Sequence, residues 1–146
     1  MNLEIIYTPT QKQLKTINEY IISEHTTGNS SSVLSSFERN ELIVLINENE
    51  LVGYSAYSVG YPVSRIDLVN INEKYRNKGF GKKLVNLTLN EIEKKKGEVV
   101  ELICSPVSTE PFWKKIGFKN LPKMRATIGK TVMFKTLIET LQQTDV

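Results

Sequence analysis

No feature of this chain constrains its fold more than the run Ile66–Val85, IDLVNINEKYRNKGFGKKLV. An apolar strand enters a short basic turn that carries glycines, and leaves it as an amphipathic helix. The first turn of a helix leaves backbone N–H groups without partners, and the helix dipole adds partial positive charge there. Gly79 and Gly81 remove Cβ atoms where an anion's oxygens must approach the main chain, and Arg76, Lys78, Lys82 and Lys83 add full charges. A strand, a cationic loop and a helix N-terminus in that order make a cradle for a diphosphate.

Two common phosphate motifs are excluded. The dinucleotide-binding fingerprint needs a third glycine three residues beyond the second, and that position is Leu84. Gly129-Lys130-Thr131 has the ending of a P-loop, yet Met124 stands where the opening glycine belongs. What remains is Arg-x-x-Gly-x-Gly, written Arg76-Asn77-Lys78-Gly79-Phe80-Gly81.

On either side of this run, strand and helix signals alternate. Leu3–Tyr7 is a short β-rich run closed by Pro9, and Thr10 is placed to cap a helix with Leu14, Ile17, Tyr20 and Ile21 at helical spacing. The polar segment HTTGNSSS at 25–32 ends that helix, and a second is expected over Ser32–Arg39. Strands are expected at Leu42–Ile46 and Leu51–Val59, joined by a hairpin turn at 47–50, and at Arg65–Ile71 after Gly60-Tyr61-Pro62. In that third strand the apolar positions change phase between Leu68 and Val69, the sequence form of a β-bulge. The helix after the basic loop turns Leu84, Val85, Leu87, Thr88, Leu89 and Ile92 inward. It ends at Lys94-Lys95-Lys96, with Gly97 as its left-handed cap. Val99–Cys104 reads as a buried strand, and Glu110-Pro111 opens a short helix that Gly117 stops. Phe118 begins a further strand, and Thr131–Leu137 is the last before a polar tail. The order β, α, α, β, β, β, α, β, α, β, β gives a mixed α/β (α+β) fold, a mainly antiparallel central sheet flanked by helices. Its 146 residues make one domain, 1–146.

With its flanks, Arg76–Gly81 resembles the loop by which the GNAT superfamily of N-acetyltransferases holds the pyrophosphate of acetyl-CoA. Phe112–Phe118, FWKKIGF, independently resembles that family's closing aromatic-x-Lys-x-Gly-Phe segment, and the element order coincides over nearly the whole chain. The resemblance implies an acyltransferase that moves an acetyl group from acetyl-CoA, its co-substrate, to a primary amine on a small molecule or a protein. The alternative is a GNAT-fold module that binds coenzyme A or a partner without turnover. Also implied are coenzyme contacts from Val69, Asn70 and Ile71 beside the bulge, and from Arg76, Asn77, Lys78, Gly79, Phe80, Gly81 and Lys82 around the pyrophosphate. Ser108 and Trp113 add further contacts. No metal is implied. Many relatives dimerise, so a homodimer is an open alternative.

Composition adds exclusions. With 40% hydrophobic and 24% charged residues the chain reads as an ordinary soluble protein, and no run approaches the length of a membrane span. The first residues lack the pattern of a signal peptide, and the single cysteine, Cys104, suits a reducing compartment, so a cytoplasmic protein is expected. Residues 1–60 carry a net charge of −4 and residues 61–146 one of +7. Such a division suits an anionic coenzyme and a cationic acceptor. The basic residues have a cofactor to serve and show no interleaved aromatic stacking pattern, which argues against nucleic acid as a partner.

Acetyl transfer to an alkylammonium needs a base, a donor for the developing oxyanion and a proton for the leaving thiolate. Asp67 and Glu110 are the candidate bases; Asp67 is two residues before Val69 on the central strand, while Glu110 also suits the dipole of the helix it opens. The N–H of Val69 or Ile71 is the candidate oxyanion donor. Many relatives place a tyrosine after the phenylalanine of the closing segment, where this chain has Trp113, whose indole donates a hydrogen bond but is no acid at neutral pH. Ser105, Ser108 or a tyrosine on another element stand as alternatives for protonating the thiolate. His25, the sole histidine, falls in a polar loop, and Cys104 reads as a packing residue. Choice of acceptor falls to residues 24–41 and 60–64, which carry no legible motif.

Overall fold

The computed structural model describes residues 2–122 and 131–137. In chain order the elements are β1 (Leu3–Ile6), α1 (Gln11–Ser23), α2 (Ser30–Glu38), β2 (Leu42–Asn47), β3 (Glu50–Ser58), β4 (Val63–Ile71), α3 (Phe80–Lys94), β5 (Val99–Cys104), α4 (Glu110–Ile116), β6 (Lys119–Asn120) and β7 (Thr131–Thr136). The strand order is β1-β2-β3-β4-β5-β7-β6. The β4–β5 pairing is parallel; β1–β2, β2–β3, β5–β7 and β6–β7 are antiparallel. This is the mixed, mainly antiparallel sheet with four helices that the sequence predicts. Gly129-Lys130 and the polar tail lie outside the described residues. Among those described, no helix is long and apolar enough to cross a membrane.

The chain divides into two compact units. The first comprises Met1–Ser58 and Ile66–Asn90. Its centre is β2 and β3, whose residues 42–46 and 51–57 are buried without interruption. One face of the pair packs on Leu14, Ile17 and Ile21 of α1 and Val33 of α2, through Leu42, Val44, Leu51, Tyr54 and Ala56. The opposite face meets α3, where Thr88 donates from Oγ1 to Ser55 Oγ at 2.7 Å. A strand pair covered on both faces loses the alternation of a half-exposed strand and becomes a continuous apolar run, which is how LIVLI reads. Glu48 (φ 48°) and Asn49 (φ 69°) form the two-residue turn between them, the left-handed pair that matches the twist of a tight hairpin. The ladder slips once, where Leu45 faces Gly53 and Ile46 faces Leu51, leaving Val52 as the extra residue. In β4 buried and exposed residues alternate from Val63 to Asp67, then Leu68 to Ile71 are all half-buried.

The second unit comprises Val59–Arg65 and Glu91–Val146. Here β4 contributes Val63–Arg65, which run parallel to Val99–Glu101 of β5. β5 pairs along its whole length with β7, from Val99↔Thr136 to Cys104↔Thr131. Val100, Leu102, Trp113, Phe118 and Met133 are buried within this unit.

Helix ends follow one rule. Thr10 begins α1 with a capping box, its hydroxyl accepting from Gln13 N–H and its own N–H donating to the Gln13 side chain. At the other end each of the four helices closes with a 6→1 and 5→2 pair of backbone bonds, for example Gly97 N–H to Ile92 O (2.9 Å) and Lys96 N–H to Glu93 O (3.0 Å). The left-handed residues in these motifs are His25, Asn40, Lys96 and Gly117. Gly97 is therefore not the left-handed cap of α3, a correction to the sequence reading. Lys96 (φ 68°) takes that conformation, and Gly97 is glycine because a Cβ there would stand 2.3 Å from Ile92 Cγ2 and 3.1 Å from Ser64 Oγ. α2 likewise begins at Ser30, two residues before the expected start, after a 3₁₀ turn at Thr27–Asn29.

Candidate functional site

The basic loop is built on the end of β4. Asn72 anchors it, donating from its backbone to Val52 O (2.8 Å) and from Nδ2 to Leu51 O (2.8 Å). A 3₁₀ turn at Glu73–Tyr75 follows. Tyr75 is buried: its hydroxyl donates to Glu50 and accepts from Asn47 Nδ2 at 3.3 Å, and its ring meets Phe80 edge-on at 6.1 Å. The Tyr75 hydroxyl and then the Lys74 ammonium hold the Glu50 carboxyl below the usual range, so it stays ionised as an acceptor. The loop is thus pinned to the β2–β3 turn before the chain reverses through two left-handed residues, Asn77 (φ 62°) and Gly79 (φ 86°).

At Gly79 the α3 helix begins, Lys83 N–H bonding back to Gly79 O at 3.1 Å. The amides of Phe80, Gly81 and Lys82 precede the first intrahelical bond and so have no acceptor within the helix. A Cβ built on Gly79 meets no atom within 4 Å, so its side of the loop is open space. Lys78, Lys82 and Lys83 are exposed around it. Three amides without helical acceptors, a positive helix end and flanking ammonium groups are the features that an anion site requires.

Arg76 does something the sequence did not indicate. Its Nε donates to Ile71 O at 2.9 Å, and an Nη donates to Glu24 at 3.2 Å. The Glu24 carboxylate also accepts from Tyr20, whose hydroxyl oxygen in turn accepts from Glu73 N–H at 3.3 Å. The guanidinium ties the end of β4 to the end of α1. Both ionic partners are partly solvated, so the pair itself contributes about 1 kcal/mol or less. Burial first, then the bond to Glu24, pushes the Tyr20 phenol up and keeps it a donor. His25, next in sequence, is exposed and serves as the left-handed residue that closes α1.

Within β4, Val69, Asn70 and Ile71 are half-buried and Asp67 is exposed. Asn70 donates from Nδ2 to Tyr54 OH at 3.3 Å, and burial raises the Tyr54 phenol's pKa, leaving it a neutral hydroxyl at ordinary pH. Because Asn72 N–H points to Val52 of β3, the alternation of peptide directions along an extended strand turns Ile71 N–H away from β3. Val69 shares that parity. Asp67 lies in the wall of a cavity of about 280 Å³ with Ser31, Ser32, Ser35, Arg39 and Ser58. The sequence named Asp67 but missed the serines. The spacing of Ser31, Ser32 and Ser35 along α2 puts them on one helical face, a signal split between a segment that reads as turn-forming and the helix expected after it.

The remaining candidates belong to the second unit. Ser105 and Ser108 are exposed. Trp113 is buried, its ring edge-on to Phe112 at 5.0 Å and to Phe118 at 5.5 Å. It is a core residue of that unit, and Trp113→Phe is expected to lower stability by roughly 1–2 kcal/mol while leaving turnover within about threefold. Denaturant melts and steady-state rates check this; a loss of several hundredfold in rate with the fold intact would show that the indole acts in the reaction. Glu110 is engaged by Asn120 Nδ2 (2.8 Å) and Lys114 Nζ (3.0 Å), which hold its carboxyl low. Cys104 is buried, its sulfur 3.5 Å from Thr109 Oγ1.

A strand that feeds an amide-lined loop and a helix N-terminus, in this order of elements, has direct counterparts. The family model of the Acetyltransferase (GNAT) domain matches residues 6–134. The chain belongs to the GNAT acetyltransferase family. No curated protein matches its sequence, but solved structures match its fold. A GNAT-family acetyltransferase from Staphylococcus aureus Mu50 superposes with a TM-score of 0.76 at 14% identity, covering 94% of this chain and 100% of that one. Ard1 from Thermoplasma volcanium gives 0.77 at 18%, covering 94% and 99%. The PaiA N-acetyltransferase from Thermoplasma acidophilum, solved in complex with coenzyme A, gives 0.72 at 17%, covering 93% and 99%. At such identities the likeness carries the GNAT fold and nothing finer.

Proposed function

We propose that this GNAT chain, acting as one domain of residues 1–146, transfers an acetyl group from acetyl-CoA to the primary amine of an acceptor. The observation that carries the reading is the loop at 76–82: a pinned turn, a left-handed Gly79 with open space over it, and three helix amides without internal acceptors. The main-chain amides of Phe80, Gly81 and Lys82 hold the diphosphate, with Lys78 and Lys82 supplying charge. Arg76 acts through the loop, fixing Ile71 and α1. Val69, Asn70 and Ile71 offer main-chain groups to the pantetheine arm along β4, where the sequence's change of phase places a bulge. The N–H of Ile71 receives the oxyanion, a role for which a fixed amide in a dry site costs no reorganisation. Asp67 takes the amine proton, directly or through water, and Ser105 is the candidate donor to the leaving thiolate. Ser108 and Trp113 are assigned to the coenzyme by the family resemblance. The family match favours turnover over a purely binding role.

Calorimetry with acetyl-CoA and with CoA tests the coenzyme site, and no heat from folded protein with either would end this reading. Asp67→Asn removes the base while keeping the shape. It is expected to lower kcat/KM by about a hundredfold, with coenzyme affinity unchanged. Rates within threefold of the parent would assign the proton to water alone.

A further inference from the structure

The cavity beside Asp67 specifies more than an amine. Among the described residues it is lined by Ser31, Ser32 and Ser35 on one face of α2, by Ser58 at the end of β3, and by Asp67 and Arg39, none of them apolar or aromatic. Its volume of about 280 Å³ falls just below the roughly 300–1,000 Å³ common for ligand sites. The space suits a single small molecule.

Arg39 looks at first like a fork for a carboxylate, but its donors are committed. Nε–H donates to Glu41 at 2.6 Å, one Nη to Ser35 Oγ, and the other Nη to Ser36 Oγ at 3.2 Å and Tyr57 O at 3.0 Å. Four of a guanidinium's five N–H groups are thereby used, and the nearby Glu41 carboxylate balances its charge. What the cavity presents to an incoming molecule is a set of hydroxyls and the Asp67 carboxylate, whose lone-pair sites, about four in all, let it accept from an ammonium beside the partner it already holds. Among the described residues the hydroxyls of Ser31, Ser32 and Ser58 have no partner, and that of Ser35, which accepts from Arg39, keeps its own proton to donate. A methylene chain or an aromatic ring would find no apolar wall here, and an α-carboxylate would find no free fork.

We infer that this cavity takes a small primary amine bearing several hydroxyl groups and no carboxylate, such as an amino sugar or an amino polyol. The inference rests on the acetyl-transfer reading above. The ammonium pairs with Asp67 and gives up a proton to it. The nitrogen lone pair then forms a C–N bond to the acetyl carbonyl carbon while the C–S bond breaks, its electron pair leaving on sulfur, which takes up the second proton that the nitrogen sheds as the amide forms. The products are the N-acetyl amine and free coenzyme thiol. The serine hydroxyls fix the substrate's hydroxyls, so the amine that carries most of them binds best.

The test is thiol release from acetyl-CoA with the intact chain, across glucosamine, 2-amino-1,3-propanediol, serine, spermidine, phenethylamine and a lysine peptide. The kcat/KM for glucosamine or the aminopropanediol should exceed that for each of the other four by at least about tenfold. The double change Ser31→Ala, Ser32→Ala should raise KM for the better hydroxylated amine about tenfold, as expected for two lost hydrogen bonds, with KM for acetyl-CoA unmoved. Ser58→Ala on the facing strand should act in the same direction and serves if the double variant misfolds. Preference for serine, spermidine, phenethylamine or the peptide overturns the inference, as does an unmoved amine KM in the serine variants. Calorimetric binding of acetyl-CoA without thiol release from any hydroxylated amine overturns it while sparing the coenzyme site. Failure to bind acetyl-CoA at all removes the transfer reading and this inference together.

Discussion

Gly79→Val is expected to leave a folded protein whose affinity for acetyl-CoA has dropped by about a hundredfold or more, close to 3 kcal/mol of binding free energy. Two effects act at this residue. Its φ of 86° lies where a β-branched side chain is strained, at about 1–3 kcal/mol. The Cβ meets no protein atom within 4 Å, so that strain is the only folding penalty and a domain of this size should absorb it. The same open space is where an anion bound to the amides of Phe80, Gly81 and Lys82 would come closest to the loop, and two methyl groups would fill it. Gly79→Ala separates the terms, keeping most of the strain and removing most of the bulk, and should lose far less affinity. Calorimetric titration beside far-UV circular dichroism reads both. If Gly79→Val stays within threefold of the parent in affinity, the diphosphate is not held at this loop.

The largest stability effect is expected from Gly53→Ala. A Cβ there would stand 2.7 Å from the Asn70 carbonyl oxygen and 2.6 Å from Ile71 Cδ1. The isoleucine side chain can turn, but a carbonyl fixed in β4 cannot, so the strand must move. Overpacking of this kind costs roughly 3 kcal/mol, which corresponds to a fall in Tm of roughly 10 °C for a domain of this length. The displaced residues include Asn70 and Ile71, so coenzyme affinity should fall together with stability. Gly28→Ala is the control: its Cβ would meet nothing and its φ is not left-handed, and the change should remain within about 0.5 kcal/mol. Urea melts of the two variants decide the matter. Equal midpoints would mean that β3 and β4 are not pressed together at this point.

Much of the architecture was legible because local rules and tertiary packing agree. Thr10 with Gln13, the hairpin at Glu48-Asn49, Gly117 after α4 and the amphipathic pattern of α3 each satisfy a backbone requirement within a few residues, and such requirements are written in sequence. The reading failed where two local rules coincided and only contacts could separate them. Lys96 and Gly97 both follow α3, and by propensity glycine should be the left-handed residue. Gly97 is instead demanded by Ile92 and Ser64, which press against its Cα, and the left-handed cost falls on Lys96.

The candidate site divides in the same way. The shape of the loop at 76–82 was visible because it depends on main-chain groups, and residues 76–81 announce their backbone geometry directly. Side chains gathered from distant segments were not visible. Tyr75 gains its role only when the β2–β3 turn brings Glu50 and Asn47 to its hydroxyl, and Arg76 is drawn from the loop toward Glu24, 52 residues earlier. Ser31 and Ser32 fall in a segment that reads as turn-forming and Ser35 in the helix expected after it, with nothing to join them until α2 lines them up opposite Asp67. By itself the sequence determined the order of elements, the helix boundaries to within a few residues, and the loop with its free amides, since these follow from periodicity and φ preference over short spans. Only the tertiary structure decided which glycine is for conformation and which for contact, where Arg76 goes, and which hydroxyls meet in one cavity, because those depend on atoms that are close in space and far apart along the chain.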